Sequence, residues 1–440
     1  MKVKKLISKI TNSKIGMNYI WVFLGQNIGA VFTMLTLILI LKIISSEEYG
    51  AMVAIQTYAL LISNIFGIRT FNGVIKYTTD AESIGDMDRV KKYINTAFLF
   101  DALSGVLAFV CGFLLLSPIV FLMQWEMETM TYLNMYLPLV LFLPILNGTP
   151  IGVLRKLGYF KQVNIIHAIA FGFQCFVMFI VFLLDCGSLK LVLLIHALTE
   201  VMECLLLLAY SIFKLQTKAE FKNFWKAGFS RDWAFCKFNF FYGLSTCFDQ
   251  ILGHGSTLLI NRFVGNLATA YIKIISQICG IITKFTNPLG QIIYPELCTW
   301  VSKCKFAKAY KISLKYFYVV CGAGLFLTGI LFGTYDWWIG IFDEGMIEAK
   351  WQSLLYMMHA ILSISIICVN QLIFALDLVK QNLTVTIIFN CFYLICLIPA
   401  IKMFGVYGYL VLQLLQLLSV FGLKLLFIKI KLRKNSSEES

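Results

Sequence analysis

Charged residues are scarce in this 440-residue chain. They make up 14% of it, with only 23 Asp and Glu, while hydrophobic residues make up 59% and the mean hydropathy is +0.81. A soluble domain has about a quarter of its residues charged. The composition therefore excludes a soluble protein and predicts one that lives in a membrane.

Motifs of soluble catalysis are also missing. The sequence has no GxGxxG, GxxxxGK[ST], HExxH or GxSxG, and no polar loop is long enough to hold a soluble catalytic domain. The 13 Cys lack zinc-ligand spacing, and the nearest pair, Cys298 and Cys304, has five residues in between. We therefore expect no catalytic residue, no metal site and no enzymatic activity, and we interpret the Cys as small hydrophobic residues.

Long hydrophobic runs fill the chain instead. A membrane-spanning helix needs roughly 20 mainly apolar residues, and about twelve stretches reach that length. We predict an all-α integral membrane protein with about 12 transmembrane helices. The stretches lie at about 17–41, 51–75, 95–123, 132–154, 162–184, 189–213, 236–260, 267–294, 313–333, 352–376, 381–401 and 405–428.

The gaps between these stretches alternate in their content of Lys and Arg. Most of the 37 basic residues precede the first stretch, follow the even-numbered stretches or close the chain, whereas the other gaps hold acids such as Glu47 and Glu48. The positive-inside rule then places both termini in the cytoplasm. The net charge of +14 follows from this topology and from attraction to anionic lipid, so it does not indicate nucleic-acid binding.

The longest polar gap, about 214–235, separates six stretches from six. A shift of 220 residues aligns Lys42 with Arg262 and Ile55 with Ile275. This sparse identity predicts two pseudo-symmetric six-helix bundles, an arrangement typical of alternating-access transporters with the site between the halves. We expect an N-terminal bundle at 1–215, a cytoplasmic linker at 216–235 and a C-terminal bundle at 236–440.

The eighth stretch has a polar and cationic stripe. At 100° per residue, six of its residues lie close to one line along the helix. A charge facing lipid is costly, so the stripe predicts a wet interior, with snorkelling of Lys273 near the outer end as the alternative. The six residues are Lys273, Gln277, Gly280, Lys284, Asn287 and Gln291.

The second stretch repeats this theme. Arg69 lies about two turns further into the membrane than Lys76 and shares a face with Asn72. Cations that line a cavity suit a phosphate or pyrophosphate cargo, and Arg can bind two of its oxygens at once. The candidate substrate-binding residues are Arg69, Lys273, Gln277, Lys284 and Asn287.

The sixth stretch holds the first candidate for ion coupling. His196, Glu200 and Glu203 are spaced i, i+4 and i+7, which places them on one helical face. Clustered carboxylates beside a His can bind a proton or a sodium ion. The alternative is an internal polar contact with a basic residue such as Arg155.

The seventh stretch holds the second candidate. Asp249 lies there beside Gln250 and about one turn before His254. An acid inside a membrane span is costly, and such residues therefore mark functional sites by default. We include Asp249 among the ion-coupling residues for this reason. Beyond a coupled proton or sodium ion, we expect no cofactor.

The first stretch has a face of small and polar residues. Small faces allow close packing between membrane helices, and they also line cavities. The sequence leaves both interpretations open for this face, which is formed by Asn18, Gly25, Gly29, Thr33 and Thr36.

Short motifs in order along essentially the whole chain give a family resemblance. Over twelve helices, they resemble the polysaccharide or O-antigen flippases of the multidrug/oligosaccharidyl-lipid/polysaccharide (MOP) exporter superfamily. The motifs are Ser46-Glu47-Glu48-Tyr49-Gly50, Phe66-Gly67-Ile68, Val153-Leu154-Arg155-Lys156-Leu157-Gly158-Tyr159-Phe160, Asp249 and Tyr294-Pro295-Glu296-Leu297.

The resemblance implies two bundles around a cationic cavity in a bacterial cytoplasmic (inner) membrane. It implies that an undecaprenyl-diphosphate-linked oligosaccharide moves from the cytoplasmic to the outer leaflet by ion-coupled alternating access, for surface polysaccharide biosynthesis. Membrane lipid, a polysaccharide polymerase and a chain-length regulator are the further partners that it implies. The motifs do not fix the substrate residues, so the stripe and Arg69 rest on periodicity.

Two other functions stay open at this point. A multidrug or small-molecule antiporter of the same superfamily is the first, although cationic drugs favour an acidic cavity and the stripe is cationic. A membrane-embedded polysaccharide polymerase or glycosyltransferase is the second. The lack of a long outer loop with paired carboxylates or Arg argues against that enzyme class.

Overall fold

The computed structural model describes residues 14–68, 70–142, 147–303, 305–376 and 378–438. In these ranges the chain is helical between short turns and has no strand, which confirms the predicted all-α class. The α-helices are α1 Lys14–Ile43, α2 Ser46–Phe66, α3 Phe71–Ser83, α4 Met87–Leu114, α5 Leu116–Met123, α6 Met127–Val140, α7 Gly148–Lys156, α8 Phe160–Leu183, α9 Leu189–Thr217, α10 Trp233–Val264, α11 Asn266–Ser302, α12 Phe306–Gly333, α13 Tyr335–Ile339, α14 Lys350–Ser365, α15 Ile367–Ala375 and α16 Val379–Glu438.

The predicted stretches correspond to these helices, but four of them are broken in two. The second stretch forms α2 up to Phe66 and α3 from Phe71. The helix ends at this point because Gly67 is extended (φ −73°, ψ 114°), with its N–H bonded to the carbonyl of Ser63. The third, fourth and tenth stretches likewise form α4 with α5, α6 with α7, and α14 with α15. The break at Gly67 places extended backbone inside an apolar run, whereas Leu115 and Ile366 at two of the other breaks keep right-handed helical φ and ψ.

The last two stretches form α16, which turns at Gly405. This residue has φ 56° and ψ −136°, a conformation that glycine reaches without the steric cost of a Cβ. A straight helix of 60 residues would be about 90 Å long, about three times the hydrocarbon core of a bilayer. The turn therefore lets one run of sequence cross the membrane twice.

Among the described residues, eight segments are long and apolar enough to cross a membrane, and Asn266–Ile282 is a shorter apolar helical segment. The eight include both halves of the broken second stretch, Ser46–Ser83, and the turned pair within Thr384–Arg433. Length and composition together make this a multi-pass membrane protein.

The start of α2 shows how local sequence sets a helix end. Ser45 is the N-cap, and its hydroxyl accepts the N–H of Glu48, while the Glu48 carboxylate accepts the N–H of Ser45 at 2.9 Å. This reciprocal pair is a capping box, which satisfies N–H groups that the first helical turn leaves without partners. Part of the Ser46–Gly50 motif thus has a structural role.

The chain forms two compact units, Met1–Leu258 and Leu259–Ser440. In the first, α8 packs between α1 and α9, and α3 packs against α4 and α7. In the second, α11 packs against α14 and α15, and α12 packs against the same two helices. The division into 1–215, 216–235 and 236–440 remains a prediction.

Glycines of α1 lie at its interface with α8. A Cβ at Gly25 would lie 2.5 Å from the Cβ of Asn164, and one at Gly29 would lie 3.4 Å from the ring of Phe171. Close approach of two membrane helices needs such small residues. For Gly25 and Gly29, the structure therefore supports the packing interpretation of the small face.

The predicted linker is packed onto the first unit. It forms two short 3-10 helices, Ala219–Phe221 and Phe224–Ala227, whose Phe221 and Phe224 are fully buried in a cluster with α4. Asn95 of α4 donates to the carbonyls of Phe224 and Gly228 at 2.9 and 3.0 Å. These contacts make the segment part of the fold of this unit.

A charged contact also joins the C-terminal part of the predicted linker to α4. The Asp232 carboxylate accepts hydrogen bonds from the Tyr93 hydroxyl at 2.5 Å and from the Arg89 guanidinium at 2.7 Å. The Tyr93 bond, followed by the Arg89 guanidinium, lowers the pKa of Asp232 below its ordinary value. The charged form of Asp232 therefore stabilises the attachment.

Candidate functional site

The structure describes part of the predicted substrate-binding set. Arg69 lies outside the described residues, and Lys284 and Asn287 lie in α11 with side chains that are not described. Lys273 and Gln277 lie one turn apart on α11 and are half-buried. The side-chain oxygen of Gln277 is buried and has no hydrogen-bond partner in the described part of the chain. This face of α11 therefore has an acceptor available inside the second unit.

The predicted ion-coupling residues on α9 face α8. The imidazole Nδ1 of His167 lies 2.6 Å from Oε1 of Glu203, and the amide nitrogen of Gln174 lies 3.3 Å from Nδ1 of His196. His167 and Gln174 are seven residues apart on α8, and so are His196 and Glu203 on α9. Seven residues make about two helical turns, so the antiparallel pair forms a ladder of polar contacts. We call His167, Gln174, His196, Glu200 and Glu203 the hairpin cluster.

Glu200 lies between the two contacts of the ladder. Its Oε1 is 3.9 Å from Nε2 of His196, too far for a hydrogen bond, and its Oε2 is buried with no partner among the described atoms. Buried polar atoms in proteins are nearly always hydrogen-bonded. Glu200 thus offers an open acceptor, at ion-pair distance from an imidazole that can carry a proton.

The basic partner of Glu203 is His167, not Arg155. The guanidinium of Arg155 lies over the ring of Phe71 at 4.9 Å, a cation–π contact at the end of α7. An internal polar contact is therefore present, as the alternative interpretation requires, but its donor is a titratable imidazole. Asp249 lies in α10, and its side chain is outside the described residues.

His167 and Gln174 were not predicted as members of the site. A signal for them was present, because they are spaced by seven residues in the fifth stretch and so share a face, as His196 and Glu203 do in the sixth. A hairpin of two adjacent stretches allows such faces to meet. Asp101 of α4 is a further buried acid that the sequence interpretation passed over.

Comparison with known proteins settles the family. The family model described as "Polysaccharide biosynthesis protein" matches residues 15–299, more than half of the chain. The protein belongs to the polysaccharide biosynthesis protein family. It is also similar to the inner membrane protein YghQ of Escherichia coli strain K12, with 24% identity over 151 residues. That match spans 34% of this chain and 42% of YghQ, less than half of the relative's length.

Solved structures establish the fold of this family member. An inward-facing multidrug resistance MATE-family transporter of the MOP superfamily aligns with a TM-score of 0.77 at 10% identity, covering 94% of this chain and 96% of that one. A mutant of the Vibrio cholerae MATE transporter VcmN aligns with a TM-score of 0.63 at 13% identity, covering 97% and 98%. The fold is that of MOP-superfamily transporters, which confirms the predicted membrane architecture and the family resemblance.

Proposed function

We propose that this protein moves an undecaprenyl-diphosphate-linked oligosaccharide from the cytoplasmic to the outer leaflet of a bacterial cytoplasmic membrane. The observation that carries the proposal is the polysaccharide biosynthesis family match on a chain with a transporter fold. Such a cargo combines an apolar tail, a doubly anionic diphosphate and a polar sugar. A membrane-spanning path with cations and unpaired polar groups can accept the last two parts.

The diphosphate would be bound by cationic side chains of the second and eighth apolar stretches. Lys273 is half-buried in α11 beside Gln277, and the part of the chain that the structure describes gives it no ion-pair partner. A cation without a protein partner inside a membrane span is costly, and an anionic cargo would remove that cost. Arg69 and Lys284 complete the proposed binding set from their positions in the sequence.

The hairpin cluster would bind the coupling ion, and we propose that the ion is a proton. Two of its five members are imidazoles, a side chain that can gain and lose a proton, whereas sodium prefers sites made of oxygen ligands. A proton shared between His196 and Glu200 would turn their 3.9 Å separation into a hydrogen bond. Both residues lie on α9, so this change would reach α8 through the contact between Nδ1 of His196 and the Gln174 amide.

The first test is the lipid fraction of a strain that lacks this protein. Complete undecaprenyl-diphosphate oligosaccharide should accumulate on the inner leaflet, shielded from external probes, while surface polymer is lost. Intact polymer with unchanged lipid-linked sugar would reject the flippase, and drug-resistance assays would then test the antiporter alternative.

The second test uses variants in that strain. Arg69→Ala and Lys284→Ala should abolish surface polymer while the protein still inserts in the membrane. Lys190→Ala, at an exposed position in the first turn of α9, is the matched control and should leave polymer normal. Normal polymer in both Arg69→Ala and Lys284→Ala would refute the cationic binding set.

The third test measures coupling in proteoliposomes with an imposed proton or sodium gradient. Wild-type flipping should respond to the proton gradient, and Glu200→Gln should abolish the response. Glu126→Gln, an exposed change before α6, is the control. A response to sodium alone would identify sodium as the coupling ion instead of the proton. Flipping that does not respond to either gradient would refute ion coupling.

A further inference from the structure

Asp101 is a fully buried acid at the middle of the 28-residue helix α4, with 0% of its surface exposed. It is the only charged residue of the predicted third stretch, 95–123. An acid in the middle of a membrane helix is costly and marks a functional site by default. The hairpin cluster does not include it.

Neutral groups from two other segments hold this carboxyl. The Thr70 hydroxyl lies 2.7 Å from Oδ1, and the backbone nitrogen of Thr149 lies 2.7 Å from Oδ2. The hydroxyls of Thr70 and Thr149 are themselves 3.0 Å apart. A Cβ at Gly148 would lie 3.2 Å from both carboxyl oxygens, so glycine lets the backbone close over the group.

This network satisfies both protonation states without moving heavy atoms. When Asp101 is charged, Thr70 donates its hydroxyl proton to Oδ1, and Thr149 donates its own to Thr70. When Asp101 is protonated, Oδ1 donates to the Thr70 oxygen, and Thr70 donates to Thr149. A hydroxyl both donates and accepts, so the chain of bonds reverses its direction while every distance is kept.

Opposing forces act on the charge of Asp101. Burial without a cation among the described contacts opposes the charged form, whereas the bonds from Thr70 and Thr149 favour it. Such a balance is what a group that exchanges a proton requires. A carboxylate also accepts stronger hydrogen bonds than a neutral carboxyl does.

The two segments bonded to Asp101 lie next to residues of the proposed binding and ion-coupling sites. Thr70 ends the break between α2 and α3 and directly follows Arg69 in sequence. Thr149 is the second residue of α7, and Asn147 before it donates to the Sγ of Cys204, the neighbour of Glu203 on α9. One carboxyl therefore connects the break beside Arg69 with a segment that contacts α9 next to the hairpin cluster.

We propose that Asp101 binds and releases a proton, and that its charge decides how firmly the break beside Arg69 and the start of α7 are held to α4. The proton site itself stands without the proposed function; only the importance of Arg69 rests on it. In the part of the chain that the structure describes, the printed partners of this carboxyl are neutral, and no charged side chain acts on it. The charged residues of the elements packed against α4 are Glu47, Glu48, Lys76, Asp80, Glu82, Glu128, Arg155, Lys156, Glu220, Lys222 and Lys226, and those of α4 itself are Asp88, Arg89, Lys91 and Lys92.

Infrared difference spectroscopy of the whole protein in proteoliposomes tests this. On a step between about pH 8 and pH 5, where solvated carboxyls stay ionised, a protonated-carboxyl band should appear in the wild type. The part of this band that belongs to Asp101 should be lost in Asp101→Asn and kept in Glu200→Gln, in which only the contribution of Glu200 is removed. A spectrum of Asp101→Asn identical to that of the wild type would overturn the proposal.

A second variant covers the case in which Asp101→Asn does not fold. Thr70→Val removes the hydroxyl that bonds to Oδ1 and keeps the size of the side chain, so it should shift the frequency of the Asp101 band. An unshifted band would overturn the proposal. Because no lipid-linked sugar is present, the result is independent of the flippase assays.

Discussion

The imidazole of His167 and the carboxylate of Glu203 are joined by a 2.6 Å contact between helices α8 and α9. Residues 36 positions apart in sequence thus form a direct polar pair within a membrane hairpin. One turn from Glu203, the acceptor of Glu200 has no described partner. The hairpin therefore combines one satisfied acid with one unsatisfied acid.

A double-mutant cycle should detect the His167–Glu203 pair. His167→Gln and Glu203→Gln should each lower stability, and the double variant should lose less than the sum, with a coupling energy of about 0.5–3 kcal/mol. Thermal unfolding in detergent at neutral pH measures this. Additive losses would mean that the 2.6 Å contact contributes no interaction energy.

The attachment of the linker should weaken in acid. The pKa of Asp232 is lowered in the folded protein, so its stabilisation is complete above the unfolded value of about 3.9 and is lost as the pH falls through the lower folded value. Wild-type stability should fall below about pH 4, whereas Asp232→Asn should lack this component.

Unfolding midpoints from about pH 6 to pH 3 measure the Asp232 effect. Asp185→Asn, in the exposed turn between α8 and α9, is the control and should follow the wild type. Parallel curves for the wild type and Asp232→Asn would contradict the prediction.

Enlarging Gly25 should separate α1 from α8. In Gly25→Val the new Cβ would meet Asn164 at 2.5 Å, and overpacking of this kind costs about 1–3 kcal/mol. Thermal unfolding measures the loss. Gly253→Ala in α10 is the matched control, because a Cβ there meets no atom within 4 Å, and stability should stay equal or rise.

Removing the Tyr335 hydroxyl should destabilise the second unit. This buried group donates to the carbonyl of Met346 at 2.9 Å and lies 2.9 Å from the Ser353 hydroxyl. Tyr335→Phe leaves buried groups unpaired, which costs about 1–3 kcal/mol. Tyr318→Phe, at a residue that is 67% exposed, should change stability little. Equal unfolding temperatures for the two variants would refute this.

The length of the apolar runs was enough to predict the helices, because a segment that crosses a membrane must satisfy its backbone N–H and C=O groups internally. It did not predict the break at Gly67, since the apolar run continues through it and only a local extended conformation interrupts the helix. The turn at Gly405 falls at the first residue of the predicted twelfth stretch, directly after the gap at 402–404, because a polar or glycine interruption is visible in sequence.

Periodicity placed His196, Glu200 and Glu203 on one face, since spacing within a helix fixes which side chains align. It could not show that His167 would be the partner of Glu203, because that depends on how α8 is rotated against α9. The contacts of Asp101 were even less predictable from the sequence. Its partners Thr70 and Thr149 come from segments 31 and 48 residues away, and only the fold brings them together.

The contact of Gly25 and Gly29 with Asn164 and Phe171 has a consequence for biosynthesis. The partner surface of α1 is made about 140 residues after α1 itself, which at synthesis rates of about 5–20 residues per second is a delay of roughly 7 to 28 seconds. During that time the first helix must remain in the bilayer without its neighbour. Its run from Ile15 to Leu41 contains no charged residue, so lipid can cover the glycine face until α8 inserts and displaces it.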